Sequence, residues 1–259
     1  MENETHHETI VREFTKQAVP FAEHPAHSQE DTLASIRTIA NLGANDRVLD
    51  SGCGPGLVSC YLAEFVSHVT GVDLTPAMIY EAKARAALQG IANTEFALGD
   101  MEHLPYPNRT FDAAISRFTF HHLERPERAL QEMFRVVRPG GKVVVMDAVP
   151  AAAKRDRFDA FEKLRDPSHA SALTMEELIE LGERHSLTPV RVCRLRLRIE
   201  LESHLTKSLS TPVVAEQLRE LVQADSKSNL MDFRPEQVNG RWYIHYPLAV
   251  FAWEAEKTP

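Results

Sequence analysis

No stretch of this 259-residue chain approaches the roughly 20 consecutive apolar residues that a membrane-spanning helix needs. The longest runs, such as VVVM at 143–146, are far shorter. Cysteine is scarce: Cys53, Cys60 and Cys193 form no CxxC pair, and their odd count argues against a disulfide framework. Positive charge is in deficit, with 29 Lys and Arg against 37 Asp and Glu for a formal charge of −8. That balance disfavours a sequence-independent grip on nucleic acid. No HExxH or other metal-ligand cluster, internal repeat or low-complexity linker is present, so no metal is expected. The first residues, MENETHHETIVREF, are acidic and polar where a secretory signal is basic and then apolar. The expectation is a cytoplasmic protein with no membrane or nucleic-acid partner.

What remains is an ordinary globular composition, 43% hydrophobic and 25% charged. From 47 to 147 one rhythm repeats: a short β-rich run, a turn, then a helical stretch. RVLDS (47–51), VTGVD (69–73), TEFALGD (94–100), DAAIS (112–116) and KVVVMD (142–147) are the runs. Strands alternating with helices imply parallel pairing with right-handed crossovers, hence an α/β, doubly wound, mostly parallel sheet. Pro76 and Pro126 stand at first helical positions, and Gly90 and Pro139-Gly140-Gly141 supply stops.

The remainder is less regular. Helices are expected over 6–23, 151–166, 174–185 and 212–223, and strands over 188–201 and 241–255. This makes a sheet of seven strands with an antiparallel last strand. The division expected is an N-terminal helical lid segment (1–40), a cofactor-binding core (41–150), and a completion of the same domain (151–259) with a helical insertion near 201–240. In RVCRLRLR (191–198) arginines alternate with apolar residues from Arg194 on, as in a half-exposed strand with a basic outer face. Such a strand faces solvent or a homodimer partner.

The stretch VLDSGCGPG (48–56) follows the first strand. A glycine turn there lets backbone approach a ligand closely. The glycines fall at 52, 54 and 56, and Leu57 stands where the third glycine of a dinucleotide fingerprint belongs. Asp50, just before the first glycine, suits a cationic methionyl amine and would be repelled by a pyrophosphate. Asp73 ends the second strand, about 20 residues after Gly52, and suits the ribose hydroxyls of either cofactor.

VLDSGCGPG, VTGVDLTPAMI, FALGDMEHLPYPNRTFDAAIS and RVVRPGGKVVVMD together resemble the class I S-adenosylmethionine-dependent methyltransferases, a Rossmann-like fold, over residues 46–147. SRFTFHHLERPERALQEMFRVVRPGG is similar to the branch containing the ubiquinone- and menaquinone-biosynthesis enzymes and many small-molecule methyltransferases. The resemblance implies S-adenosylmethionine as cofactor, S-adenosylhomocysteine as product and a small-molecule acceptor. It places Asp50, Gly52, Cys53 and Gly54 around the methionyl part, Asp73 on the ribose, and Leu74 and Met78 against adenine. Asp100 would meet the adenine amine with Met101 beside the ring, and Ser116, Arg117 and Phe118 would lie near the sulfonium. The [DN]-PP-[YF] motif of amino-methylating nucleic-acid enzymes is absent after the fourth strand.

Methyl transfer is an in-line displacement, so a base is needed only where the acceptor must lose a proton. His121 and His122, at the carboxyl end of the fourth strand, are the candidates, His122 ahead of His121. Adjacent side chains in an extended segment point apart, so one of the two is expected to face the acceptor. His6, His7, His24 and His27 read as surface or lid residues. Phe14 and Phe21 suit a lid, while Trp242, Tyr246, Phe251 and Trp253 read as core. Two other readings stand beside methyl transfer: an NAD(P)-dependent oxidoreductase on a similar sheet, and a non-catalytic S-adenosylmethionine-binding protein.

Overall fold

A computed structural model describes residues 4–22, 30–185, 187 and 189–255; His24 and His27 lie outside the described residues. In chain order the elements are α1 (His6–Ala22), α2 (Glu30–Ala40), β1 (Arg47–Ser51), α3 (Leu57–Ala63), β2 (His68–Asp73), α4 (Pro76–Leu88), β3 (Thr94–Leu98) and β4 (Phe111–Arg117). Then come α5 (Pro126–Val136), β5 (Val137–Ala148), α6 (Arg155–Arg165), α7 (Met175–Glu183), β6 (Pro189–Glu200), α8 (Leu201–Lys207), α9 (Pro212–Asp225), β7 (Glu236–Val238) and β8 (Arg241–Glu254).

The strands form one sheet in the order β3-β2-β1-β4-β5-β8-β6, parallel from β3 through β5 and antiparallel where β8 joins β5 and β6. The expected architecture is present with one addition. β7 makes an eighth strand by pairing Glu236 with Tyr243 and Val238 with Arg241. Three residues are too few to carry a period-2 signal, so this strand is silent in the sequence.

The central strands read as unbroken apolar runs because both faces are covered. Leu49, Ala114, Val143 and Val145 pack with Leu130 and Met133 of α5 on one face. Val48, Ile115 and Val144 pack with Ile36 of α2 and Leu62 of α3 on the other. α2 is thus a core helix, and among the described residues of the N-terminal segment it is α1 that contributes to the cleft described below. Pro76, Pro126 and Pro212 each open a helix, where the missing N–H leaves no intrahelical bond unmade. β5 departs from expectation by starting at Val137. The Pro139-Gly140-Gly141 segment is an irregularity within it, across which the pairing with β4 jumps from Phe111↔Val137 to Ala113↔Lys142.

Along β6, Arg191, Arg194 and Arg198 are exposed as expected, but Arg196 is half-buried. It pairs with Asp232 at 2.9 Å, and Arg198 pairs with Glu236 at 2.8 Å, so part of the basic face is neutralised within the chain. The insertion is a small core of its own: Leu205 of α8 and Leu218 and Val222 of α9 close over Phe158, Phe161 and Phe233. Among the described residues no helix is long and apolar enough to cross a membrane.

Candidate active site

At the carboxyl end of β1 the chain must reverse within a few residues. Gly52 N and Cys53 N both donate to Val72 O, at 2.8 and 2.9 Å, which docks the turn on β2. Gly52 has φ +74°, and a Cβ there would lie 2.5 Å from Thr119 Oγ1. Gly54, at φ +51°, has open space where a Cβ would stand. Its N–H donates to Asp73 Oδ2 at 2.8 Å, while Asp73 Oδ1 accepts from Thr75 N at 2.8 Å. Burial raises the Asp73 carboxyl pKa despite these bonds.

Asp50 is 1% exposed and accepts from Ser59 Oγ at 2.6 Å. Burial lifts it to about 6, against the Ser59 bonds and the attraction of Arg117. Arg117 is itself drawn down to about 10 by burial, with Asp50 opposing. Its Nη2 donates to Thr32 Oγ1 at 3.3 Å, its Cζ lies 4.4 Å from the Phe118 ring centroid, and its buried Nε has no acceptor among the described residues. Burial pushes the Cys53 thiol far up, leaving a small neutral side chain.

These groups line one cleft at the carboxyl edge of the parallel strands, where open α/β sheets hold ligands. Its wall includes Asp50, Gly52, Cys53, Gly54, Asp73, Leu74, Met78, Asp100, Met101, Arg117, Phe118 and His122. Asp100 is set by its own turn, Oδ1 accepting from Glu102 N at 2.8 Å. Ser116 is the exception: it is fully buried and off the wall, because along β4 it points to the opposite face from Arg117. α1 closes the open side with Ile10, Phe14 and Phe21, and Phe14 packs edge-on against His122 at 4.8 Å.

A second cavity, enclosing about 740 Å³, part of it open to solvent, adjoins the first and shares Phe14, Phe21, Phe118 and His122 with it. Its wall brings in His121, Glu162, Arg165, His169, His204 and Tyr246. Here the sequence-based expectation about the histidines fails. Phe120–His122 is a 3-10 turn, and successive side chains are then about 120° apart instead of opposed. Both rings face this cavity, their centroids 4.1 Å apart.

The two histidines differ in electrostatics. His121 Nδ1 lies 2.5 Å from Asp147 Oδ1, so Nδ1 carries the proton and Nε2 the lone pair. Burial opposes its charge, but Asp147 outweighs burial and raises its pKa. His122 Nδ1 donates to Ser168 O at 3.0 Å, and burial together with the neighbouring His121 holds it down to about 3. The order of preference between them is thereby reversed: His121 is the stronger base.

Sequence reasoning missed Asp147, Glu162 and Arg165; Tyr246 is buried in the core as expected and also lines the second cavity. Glu102 is buried in an ion pair with Arg125 at 2.8 Å and lines neither cavity.

The cleft can be tested against S-adenosylmethionine. Its methionyl part is a zwitterion, and the cleft holds a buried carboxylate beside a buried guanidinium with an unused N–H. The backbone N–H groups of Gly52, Cys53 and Gly54 are all spent inside the protein, so these turn residues offer none to a pyrophosphate. The donor set fits the sulfonium cofactor.

Comparison with known proteins agrees. Residues 49–145 match a family model described as a methyltransferase domain. The chain is 28% identical to the uncharacterized methyltransferase YcgJ of Bacillus subtilis over 75% of this chain and 78% of that one. It is 31% identical to a malonyl-[acyl-carrier protein] O-methyltransferase of Salmonella typhimurium over 67% of this chain and 66% of that one. The crystal structure of YcgJ superposes with a TM-score of 0.82 at 22% identity, covering 89% of this chain and all of that one. With sequence motifs, sheet order and cofactor cleft in agreement, the chain belongs to the class I S-adenosylmethionine-dependent methyltransferases.

Proposed function

We propose that the chain transfers a methyl group from S-adenosylmethionine in the first cleft to a small-molecule acceptor in the second cavity. The observation that carries this reading is the meeting of the two spaces at Phe14, Phe21, Phe118 and His122. When bound, the cofactor supplies an electrophilic methyl on its sulfonium.

Asp50 holds the methionyl ammonium and Arg117 Nε the methionyl carboxylate. Gly54 gives the backbone room to approach, and Gly52 and Cys53 hold the turn on β2. Asp73 takes the ribose hydroxyls through the lone pairs that Gly54 N and Thr75 N leave free. Leu74, Met78 and Met101 flank the adenine, with Asp100 on its amine. Phe118 covers the reacting face, and Ser116 supports β4 from the opposite face.

His121 Nε2 takes the proton of an acceptor that has one to lose, and Asp147 stabilises the imidazolium that results. His122, neutral and fixed by Ser168, orients the acceptor. α1 excludes water through Phe14 and Phe21, a lid role.

Calorimetric titration with S-adenosylhomocysteine and with NADH tests the reading. Micromolar binding of the first, weakened by at least about tenfold in Asp73→Ala, is expected. Binding of NADH alone would overturn it.

A further inference from the structure

The second cavity has a polar end that methyl transfer does not use. It is built from Glu162 and Arg165 of α6, His204 of α8, Tyr246 of β8 and Gln17 of α1. Glu162 is 3% exposed and its oxygens are spent. Oε2 accepts from Arg165 Nε at 3.1 Å and Nη2 at 2.6 Å, and Oε1 accepts from the Tyr246 hydroxyl. That hydroxyl accepts in turn from His204 Nε2 at 2.7 Å. Asp166 Oδ1 is likewise taken, by Ser168 N at 3.0 Å and Ser168 Oγ at 2.5 Å.

The donors are not spent to the same degree. Glu162 fixes the Arg165 guanidinium through Nε and Nη2, which leaves Nη1 outside that ion pair. Gln17 is 4% exposed, and its buried Nε2 has no acceptor among the described residues. Lys207 adds a second cation to the same wall. A buried donor without an acceptor is costly, so the wall is complementary to a ligand that brings acceptor oxygens. Glu162 and Asp166 balance the charges of Arg165 and Lys207 on this wall, so selection rests on geometry: the edge of the planar guanidinium that Glu162 does not hold matches a carboxylate. The shared end of the cavity is lined by Phe14, Phe21 and Phe118, and Phe158, packed on Tyr246 at 5.9 Å, adds a further aromatic wall.

We propose, building on the methyl-transfer reading, that this end is a carboxylate-binding subsite made by Arg165 and Gln17, and that the acceptor is an apolar, ring-bearing carboxylic acid. Arg165 and Gln17 hold the carboxylate, and the aromatic walls hold the body that presents the nucleophile. Because Gln17 belongs to α1, an acceptor bound there also fastens the lid.

The test uses the full chain saturated with S-adenosylhomocysteine and four probes of one shape: 3-phenylpropionate, 3-phenylpropionamide, 3-phenylpropylamine and phenyl phosphate. Probes of this size bind in the millimolar range, which ligand-observed NMR titration reads. The carboxylate is expected to bind at least about tenfold better than the amide and the amine. Arg165→Lys, which keeps the charge and loses the fork, should weaken it about tenfold. Gln17→Glu should abolish carboxylate binding and favour the amine. Equal binding of the neutral and cationic probes, preference for the phosphate, no saturable carboxylate binding, or an unchanged preference in Gln17→Glu would each overturn the subsite. S-adenosylhomocysteine affinity should be unaltered in both variants. Its absence in the wild type would instead strike at the methyl-transfer reading.

Discussion

Asp50 makes cofactor affinity depend on pH in a range where an ordinary aspartate does not titrate. Its carboxyl, 1% exposed, sits at about 6 instead of its ordinary 3.8 because burial outweighs the bond from Ser59. Pairing with the methionyl ammonium requires the ionised form. With a pKa of about 6, roughly 97% of the apo protein is ionised at pH 7.5 and about 9% at pH 5, so affinity should fall about tenfold, or ~1.4 kcal/mol. A carboxylate at 3.8 would stay above roughly 90% ionised and show almost no slope. The same difference acts on folding. A carboxyl raised in the folded state contributes stability that is present below the unfolded value and lost as pH rises through the folded one. The apo protein therefore gives up about 3 kcal/mol between pH 3.8 and 6, which the bound cation restores. The assay is calorimetric titration of S-adenosylhomocysteine at half-unit steps from pH 5 to 7.5, with Asp50→Asn in parallel. The asparagine variant should bind about tenfold or more weakly at pH 7.5 and show no slope. A flat wild-type profile, or the same slope in Asp50→Asn, would refute the argument.

Other consequences are independent of it. With a proton-bearing acceptor, His121→Ala should lower kcat by about 10²–10⁴ with little change in KM, and Asp147→Asn should lower it less while shifting the acid limb of the pH–rate profile. Gly52→Ala places a Cβ 2.5 Å from Thr119 Oγ1 at a φ of +74°. Urea unfolding should show a loss of about 1–2 kcal/mol from the backbone alone and more from the clash, of which Thr119→Ala returns only the second part. His122 is held neutral with a pKa of about 3, so the unfolded chain binds a proton there that the folded chain does not. Stability should fall by up to ~1.4 kcal/mol per pH unit below about 6.5, a slope that His122→Asn removes while keeping a donor toward Ser168 O.

The cofactor half of the molecule was legible in the sequence because local rules and tertiary structure agree there. Parallel strands buried on both faces read as apolar runs, prolines mark helix starts, and the glycine turn and Asp73 are joined by one hydrogen bond between short, well-punctuated segments. Ser116 and Arg117 show where this stops: a motif names both, but strand alternation puts only Arg117 on the cleft. The histidine pair was misjudged for a local reason, since nothing in TFHHL distinguishes a 3-10 turn from an extended segment. The second cavity was illegible because its polar wall is assembled from α1, α6, α8 and β8, far apart in the chain. Glu162 and Arg165, three residues apart, read as an ordinary helical surface pair until α8 and β8 bury them.

The most direct test of the account is a crystal structure of the chain with S-adenosylhomocysteine. The account predicts the amino-acid end between Asp50 and Arg117, the ribose on Asp73, the adenine at Asp100, and the sulfur facing Phe118 and His122, which line both cavities. A ligand lying elsewhere, or one whose sulfur faces away from those two side chains, would contradict it.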